Sequence, residues 1–236
     1  VHAANGVESE LKTAFFSDAI LREMNSCAFR GHPTKEPAPS TMFGDNRMQR
    51  LVVAMTGASG TGYAIGLLRS LQAMPDLEVH LIVSRAALKV LPLESELSQD
   101  ELLDLAGQVS SEDDIGAPPA SGSWRHSGMI VCPCSMASLA AISSGLGSNL
   151  IHRAADVTLK ERRPLILVPR ETPLHAIHLQ NMLQVTQAGG TVLPACPGFY
   201  HRPATVQDLI NHVVGRILDQ FGLKHDLFPR WGGESS

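Results

Sequence analysis

The chain is short of cysteine, aromatic residues and long apolar runs, and each shortage excludes a class of protein. Only four of its 236 residues are cysteine and 5% are aromatic. Cys132 and Cys134 have one residue between them, which suits neither a CxxC redox motif nor a zinc knuckle, and the four cysteines do not suggest a disulfide framework. Cys132 ends an apolar run, which predicts a buried side chain. No apolar run approaches the length of a membrane span. We expect a protein of the reducing cytoplasm with no membrane partner.

The chain also lacks an excess of positive charge. Its 19 lysines and arginines face 23 aspartates and glutamates, which gives a formal net charge of −4. A broad nucleic-acid-binding surface is therefore not expected. Any anion-binding site has to be a local concentration of Lys and Arg.

The first 48 residues differ from the rest of the chain. They form a polar stretch with three prolines and no glycine-punctuated strand pattern, and their acidic residues disfavour a mitochondrial transit peptide. Met48 stands directly before the first predicted strand, and the simplest interpretation makes it the functional start. We predict three segments: an N-terminal extension at 1–48, one globular domain at 49–224 and a C-terminal tail at 225–236.

From Arg50 onward, short apolar strands alternate with helical patterns. Repeated βα units of this kind predict a doubly wound parallel sheet, a Rossmann-like or flavodoxin-like three-layer α/β sandwich in a single domain. The predicted strands are 51–55, 78–83, 129–132, 165–168 and 191–193.

Two further segments carry local predictions. Thr205 and Asp208 have the spacing of a capping box at the start of the last helix, and Gly222 is placed to end it. The polar stretch 107–128 is long for a loop in a compact domain, and such loops are typical of mobile lids.

In a doubly wound fold, ligands bind outside the carboxyl ends of the strands. The sequence GASGTG at 57–62 follows the first strand, and its glycines at a helix start would allow close approach of a phosphate. It is neither GxGxxG nor a Walker motif, and a tight structural turn explains it almost as well. Ser135 and Ser138, after the third predicted strand, could bind a phosphate or flavin edge, or could simply cap a helix.

The turn after the fourth predicted strand contains a cation and a carboxylate side by side, Arg170 and Glu171. Anion binding coupled to proton transfer would need such a pair, whereas a surface ion pair is the plainer alternative. Thr172 and Pro173 are predicted to cap and begin the next helix.

A fourth candidate is the predicted helix 149–160. Arg153 and Lys160 are seven residues apart and so project from one face, with Asp156 between them. The same pattern would serve a solvated face with helical ion pairs. The apolar residues of this helix indicate that much of it is covered.

Taken together, these motifs resemble the UbiX-type flavin prenyltransferases, flavoproteins related to the cysteine decarboxylase flavoproteins. The resemblance runs from about residue 50 to 223. It rests on GASG at 57–60, PCSM at 133–136, RAADVTLKER at 153–162, VPRETPL at 168–174, GFYH at 198–201 and VGR at 214–216.

The resemblance implies transfer of a dimethylallyl group from dimethylallyl phosphate to N5 and C6 of reduced FMN, without a metal. The product would be the cofactor of a UbiD-type decarboxylase, and the enzyme would be a homododecamer with sites completed by neighbouring subunits. The implied catalytic residues are Glu171, Ser59, Lys160 and Glu94. Those implied to bind FMN are Gly57, Ala58, Ser59, Ser84, Ser135, Met136, Ala137, Ser138 and Arg170, and those implied to bind the donor phosphate are Arg153, Lys160, Tyr200 and Arg216.

Other functions stay open at this point. An FMN-dependent cysteine decarboxylase of the related fold would typically carry a Pro-Ala-Met-Asn segment, which this chain lacks. An FMN-binding accessory subunit of a decarboxylase would not need the implied catalytic residues. A metal hydrolase built on His175 and His178 would need a third ligand, and none is evident.

Overall fold

The computed structural model describes residues 48–232. The predicted N-terminal extension lies outside the described residues, apart from Met48. The strands are β1 (Gln49–Met55), β2 (Leu77–Val83), β3 (Gln108–Ser111), β4 (Gly128–Cys134), β5 (Leu165–Pro169) and β6 (Thr191–Val192). The helices are α1 (Thr61–Gln72), α2 (Arg85–Glu94), α3 (Gln99–Leu103), α4 (Met136–Ser143), α5 (Leu150–Lys160), α6 (Ala176–Gln187) and α7 (Val206–Gln220), with a 3₁₀ turn at Pro118–Ala120.

The six strands form one parallel sheet in the order β3-β2-β1-β4-β5-β6. The order reverses between β1 and β4, so the chain is wound in both directions from the middle of the sheet. The doubly wound parallel fold is confirmed. In such a sheet the gap beyond the carboxyl ends of the two central strands is the usual ligand site.

Alternate residues of each strand point to opposite sides of the sheet, and each side is covered by its own helices. Helices α1, α2, α3 and α7 pack on one side, against Leu51, Val53, Leu81 and Ile130 among others. Helices α4, α5 and α6 pack on the other, against Val52, Ala54, Met129 and Leu167 among others. Because the central strands are buried on both sides, their sequences are almost continuously apolar.

The last helix begins and ends as its sequence predicts. The Thr205 hydroxyl accepts a hydrogen bond from the Asp208 amide, and the Asp208 carboxylate accepts one from the Thr205 amide. Gly222, two residues after the helix, has φ 64°, a left-handed conformation that suits glycine. After Gly222 the tail folds back, and Phe228 is buried against Gly215 of α7.

The prediction of a loop over 107–128 is wrong at its start, although turns and irregular backbone do make up most of the rest. This stretch begins with the edge strand β3, which pairs with β2. The strand escapes sequence analysis because its pattern is inverted: Val109 is 42% exposed, whereas Ser110 is buried and its Oγ lies 3.0 Å from Nε2 of His80. Further on, the 3₁₀ turn packs on α5, so the segment is part of the folded domain.

Cys132 and Cys134 are fully buried at the end of β4, as the apolar run predicts for Cys132. Burial raises the pKa of the Cys134 thiol to about 12, so it is un-ionised at neutral pH. In the part of the chain that is described, no helix is both long and apolar enough to cross a bilayer.

A buried histidine makes the fold sensitive to acid. His126 is 6% exposed, its ring lies 5.6 Å from that of Trp124, and its Nδ1–H donates to the Gly128 carbonyl at 3.1 Å. Burial lowers the pKa of His126 to about 4; the hydrogen bond to Gly128 opposes this and the charge of Arg163 reinforces it. The folded protein therefore holds this imidazole neutral.

We expect the free energy of unfolding to fall as the pH drops from 6.5 to 4. In this window the unfolded chain takes up a proton at the ordinary histidine pKa of 6.5, whereas folded His126 does not until about pH 4. The pKa difference corresponds to about 3 kcal/mol, present above the window and lost by its lower end. Urea unfolding followed by tryptophan fluorescence measures it. His126→Gln should flatten the pH dependence, and an unchanged slope in that variant would refute the assignment.

Candidate active site

The carboxyl ends of β1 and β4 are joined by one threonine. The Thr56 hydroxyl donates to the Pro133 carbonyl at 2.7 Å and accepts from the Ser135 amide at 2.8 Å. These bonds hold the 57–62 turn beside the 135–138 turn, at the point where the strand order reverses. Two of the predicted cofactor-binding turns therefore lie next to each other.

The 57–62 turn needs its glycines for two different reasons. Gly60 is the N-cap of α1 with φ 119°, a conformation in which a side chain is strained. Gly57 lies against the start of α2, where an added Cβ would collide with the Cβ of Ala86. The turn is thus packed tightly between two helix starts.

An anionic oxygen already occupies the N-terminus of α1. One carboxylate oxygen of Glu94 accepts hydrogen bonds from the amides of Gly60 and Thr61, at 2.8 and 2.9 Å. Partial burial raises the pKa of Glu94, but hydrogen bonds from Ser59, Gly60 and Thr61 outweigh it and leave the pKa below its ordinary value. Glu94 is therefore ionised at neutral pH, and it shows that this helix terminus binds anions.

Two further helices begin at this edge with serine caps. Ser84 accepts from the Ala87 amide at 3.0 Å at the start of α2, and Ser135 accepts from the Ser138 amide at 3.2 Å at the start of α4. The capping alternative is therefore realised for Ser135, whereas Ser138 is the residue that donates its amide to the cap. Because three helix N-termini, of α1, α2 and α4, share this edge, it carries a concentration of partial positive charge.

Arg170 adds a full positive charge to this edge. It follows β5, and its Nε donates to the Ser59 carbonyl at 3.0 Å, which ties the β5 turn to the 57–62 turn. Glu171 beside it is exposed, and its Oε1 accepts from the Thr172 amide at 3.0 Å. All nine residues predicted to bind the cofactor thus lie on turns or helix starts at the carboxyl edge.

The predicted start of the next helix is wrong. Thr172 does not cap it; α6 begins at Ala176, and the N-cap is His175, whose Nδ1 accepts from the His178 amide. The amide of Thr172 is instead bound to the Glu171 carboxylate, which closes a local turn. The rings of His175 and His178 stack with centroids 3.5 Å apart. Within residues 48–232, no three His, Cys, Asp or Glu side chains are grouped to hold a metal ion.

Helix α5 presents Arg153 and Lys160 on one face, as their spacing predicts. Arg153 Nε donates to the Ala120 carbonyl at 3.1 Å, and a Cβ added to Gly122 would lie 2.8 Å from Lys160 Nζ. Each is also in an ion pair of 2.7 Å, Arg153 with Asp156 and Lys160 with the next residue, Glu161. These half-exposed pairs stabilise the fold little, so a phosphate can exchange with their carboxylates.

Tyr200 and Arg216 belong to a different part of the protomer. The Tyr200 hydroxyl lies 3.2 Å from Nε2 of His212, and Arg216 follows His212 by one turn of α7. Arg216 pairs with Asp219 at 2.9 Å, and Asp219 also binds Arg230 of the tail at 2.7 Å. His212 and Arg230 were not among the residues predicted from the sequence. The spacing of His212, four residues before Arg216 on one helix, was the available signal for the first.

The four predicted phosphate ligands therefore do not meet in one protomer. Arg153 and Lys160 lie on α5, on one side of the sheet, whereas Arg216 lies on α7, on the other. Lys160 is also at the amino edge, since α5 ends there and the chain enters β5 soon after. One phosphate that contacts both pairs has to lie between two copies of the chain.

Comparison with known proteins identifies the family of the chain. The sequence model of the family described as "Flavoprotein" matches residues 40–218. The chain belongs to the flavoprotein family. A curated relative, flavin prenyltransferase LpdB of Lactiplantibacillus plantarum, is 48% identical over 187 residues, which cover 79% of this chain and 100% of the relative.

Two solved structures of flavoproteins share the fold closely. A dodecameric FMN-dependent UbiX-like decarboxylase of Escherichia coli O157:H7 is 47% identical with a TM-score of 0.77, covering 78% of this chain and 100% of the other. AnUbiX (PadA1), solved with FMN and dimethylallyl pyrophosphate, is 48% identical with a TM-score of 0.78, covering 80% and 100%. The resemblance to UbiX-type flavin prenyltransferases is confirmed, and this flavoprotein is an enzyme of that family.

Gly57 gives a test of the cofactor-binding turn. Gly57→Ala should weaken flavin binding roughly tenfold or more, because overpacking of about 1–3 kcal/mol would push the turn away from α2. Fluorescence quenching on titration with FMN measures the affinity. Because the collision is with the Cβ of Ala86, the double variant Gly57→Ala/Ala86→Gly should recover most of the affinity. Tight binding by the single variant would show that the turn does not need this approach.

Proposed function

We propose that this flavoprotein transfers the dimethylallyl group of dimethylallyl phosphate to reduced FMN. One observation supports this most strongly: the chain combines an anion-binding site at the carboxyl edge with two separate pairs of phosphate-binding candidates, on α5 and beside α7. A redox flavoprotein or a decarboxylase needs the first feature and has no use for the second.

The carboxyl edge fits FMN on its own chemistry. The 57–62 and 135–138 turns offer amides and hydroxyls at helix starts, and Arg170 offers a guanidinium beside them. Glu94 already fills the amides of Gly60 and Thr61, so the groups left for a phosphate are those of Ser59, the 135–138 turn and Arg170. We infer that the FMN phosphate lies among these groups, with Ser84 at the flavin edge.

The donor phosphate is proposed to lie between protomers. Arg153 and Lys160 of one copy would meet Tyr200 and Arg216 of another, since a single copy keeps the two pairs on opposite sides of the sheet. The dodecameric E. coli relative supports an assembly with repeated interfaces, and we propose a dodecamer here. Such a site holds no phosphate until the assembly forms.

The side chains of this composite site would stabilise charge that grows on the leaving group. As the allylic C–O bond breaks, its electron pair stays with phosphate, and the cations and the Tyr200 hydroxyl bind the added charge without a metal. Reduced FMN supplies two nucleophilic ring positions, N5 and C6, to which the five-carbon unit becomes attached. Glu171 would take up and return the protons that this substitution displaces, with Ser59 relaying them and Glu94 holding the 57–62 turn.

The product would be the prenylated flavin cofactor of a UbiD-type decarboxylase. That enzyme is the proposed recipient, and the cytoplasm is the proposed location. The three cysteines within the described residues are free, which agrees with a reducing compartment.

A second candidate function is FMN-dependent decarboxylation, because the E. coli relative carries the name of a decarboxylase. The reaction of the related cysteine decarboxylases would oxidise a C-terminal cysteine and release carbon dioxide. It would not need the cations of α5.

The two functions differ in what happens to the flavin. The protein is incubated without oxygen with reduced FMN and dimethylallyl phosphate, and in parallel with oxidised FMN and a peptide ending in cysteine. We expect the flavin to gain the mass of one five-carbon prenyl unit and to change its absorbance, and the peptide to stay intact. Unmodified flavin together with a decarboxylated peptide would overturn the proposal in favour of the second candidate. A parallel incubation with dimethylallyl diphosphate identifies the preferred donor.

We also propose that the domain 49–224, together with the C-terminal tail, is sufficient for catalysis. Deleting Val1–Asp45 should leave flavin binding and turnover near those of the full chain, because the predicted site residues begin at Gly57. FMN titration and prenyl transfer measure this, and gel filtration compares the assembly states. If the shortened chain is insoluble or assembles differently, the extension has a structural role.

A further inference from the structure

His212 lies behind the Tyr200 hydroxyl and contacts it through one ring nitrogen. It is 7% exposed in the middle of α7. Its Nε2 lies 3.2 Å from the Tyr200 oxygen, and its Nδ1 lies 3.2 Å from the Gly198 amide nitrogen. Both ring nitrogens are therefore bound to the 198–200 segment.

The Gly198 contact decides which nitrogen carries the proton. An amide N–H can only donate, so Nδ1 has to accept and is unprotonated. In the neutral ring the proton is then on Nε2, and Nε2–H donates to the Tyr200 oxygen. The Tyr200 hydroxyl accepts from His212 and keeps its own proton free to donate elsewhere.

The surroundings keep this ring neutral and fixed in orientation. It stacks on His201 with the planes 5° apart and packs against Phe228 of the tail, with centroids 5.2 and 4.8 Å away. Burial lowers the pKa of His212, and its neighbours His201 and Arg216 lower it further. Protonation would also displace the Gly198 amide. Among the described residues, neither ring nitrogen of His201 has a hydrogen-bond partner, so His201 does not compete for the Tyr200 hydroxyl.

The approach of the 198–200 segment to this ring is close. A Cβ added to Gly198 would lie 3.0 Å from the Tyr200 ring and 3.3 Å from Cε1 of His212. The phenol and the imidazole therefore have little freedom relative to each other.

We propose that His212 is a positioning residue for prenyl transfer: it directs the hydroxyl proton of Tyr200 toward the phosphate of the donor. The inference rests on the proposed function, in which Tyr200 binds that phosphate. A plain packing role for His212 is the alternative, and a phenylalanine would serve that role equally well.

Three variants of His212 separate its contacts. Phenylalanine keeps the ring packing and loses both hydrogen bonds. Asparagine can accept from the Gly198 amide but is too short to reach Tyr200, whereas glutamine can donate to Tyr200 without the Gly198 contact. Each is made in the unchanged protein and with Tyr200→Phe, and measured for kcat and KM with dimethylallyl phosphate. Calorimetry with enzyme loaded with oxidised FMN gives the donor Kd without turnover.

We expect Tyr200→Phe to weaken donor binding about tenfold, and His212→Phe and His212→Asn to weaken it about threefold or more. The donor affinity of His212→Gln should be close to that of the unchanged protein, and FMN affinity should not change in any variant. With Tyr200→Phe present, His212→Phe should have no further effect, because its action passes through the hydroxyl.

An equal loss of donor affinity from His212→Phe with and without Tyr200→Phe would overturn the inference. Normal donor affinity in His212→Asn together with weak affinity in His212→Gln would also overturn it. Failure of the proposed function has a different signature. In that case the unchanged protein forms no prenylated flavin, or Tyr200→Phe leaves the donor Kd unaltered.

Discussion

Replacing Lys160 with alanine is expected to slow prenyl transfer on the order of a hundredfold or more, because one preorganised charge at the leaving group is lost. The partial negative charge on the phosphate is largest as the C–O bond breaks, so kcat should fall more than donor affinity. FMN affinity should barely change, since Lys160 lies at the amino edge and the proposed FMN phosphate site lies at the carboxyl edge. Fluorescence quenching by FMN and prenyl transfer at saturating donor measure the two effects.

Two control variants isolate the role of this charge. Lys89→Ala removes an exposed lysine of α2 outside the proposed donor site and should leave the rate unchanged. Glu161→Gln removes the carboxylate paired with Lys160 and should cost little, because the pair is half-exposed. Lys160→Ala could instead bind FMN weakly and yet transfer the prenyl group at the normal rate when FMN is saturating. In that case α5 belongs to the flavin site and the assignment has to be reversed.

Replacing Glu171 with glutamine is expected to slow product formation roughly a hundredfold to ten-thousandfold, the usual range for loss of a general acid or base. The exchange is nearly isosteric, and the glutamine oxygen can still accept the hydrogen bond from the Thr172 amide. The local turn and the neighbouring Arg170 should therefore stay in place. Formation of prenylated flavin in a single turnover measures the rate.

The matched control for Glu171→Gln is a variant of the neighbouring residue in the same turn. Thr172→Ala keeps the amide that binds the carboxylate and removes only the side chain, so it should transfer at a near-normal rate. A near-normal rate in Glu171→Gln itself would show that the leaving phosphate accepts the protons unaided.

Much of the fold could be predicted because the determining signals are local. β1, β2, β4 and β5 are buried on both sides over most of their length, which makes their sequences mostly apolar, and the ends of α7 follow from Thr205, Asp208 and Gly222. β3 could not be predicted, since the sheet edge places Val109 outward and Ser110 inward. The start of α6 was missed because the cap is a histidine ring, which is an uncommon cap.

The candidate site, like the fold, could be predicted only in part from the sequence. The turns at 57–62 and 135–138 could be placed at one edge, because parallel strands bring their carboxyl ends together. The spacing of Arg153 and Lys160 gave their common helix face. It could not give the side of the sheet on which α5 packs, so the separation from Arg216 appears only in three dimensions. His212 was missed because its partners, Gly198 and Tyr200, lie in an irregular loop.

One donor site is proposed to be assembled from α5 of one protomer and α7 of another. This composite site is tested by mixing two inactive variants: Lys160→Ala and Arg216→Ala are unfolded together, reassembled in equal amounts and assayed for prenylated flavin. Each variant assembled alone should be nearly inactive. In the mixture about a quarter of the sites should combine two intact contributions and regain full activity. If the mixture is no more active than the separate variants, both residues act within one protomer or not on the donor at all, and the composite site is contradicted.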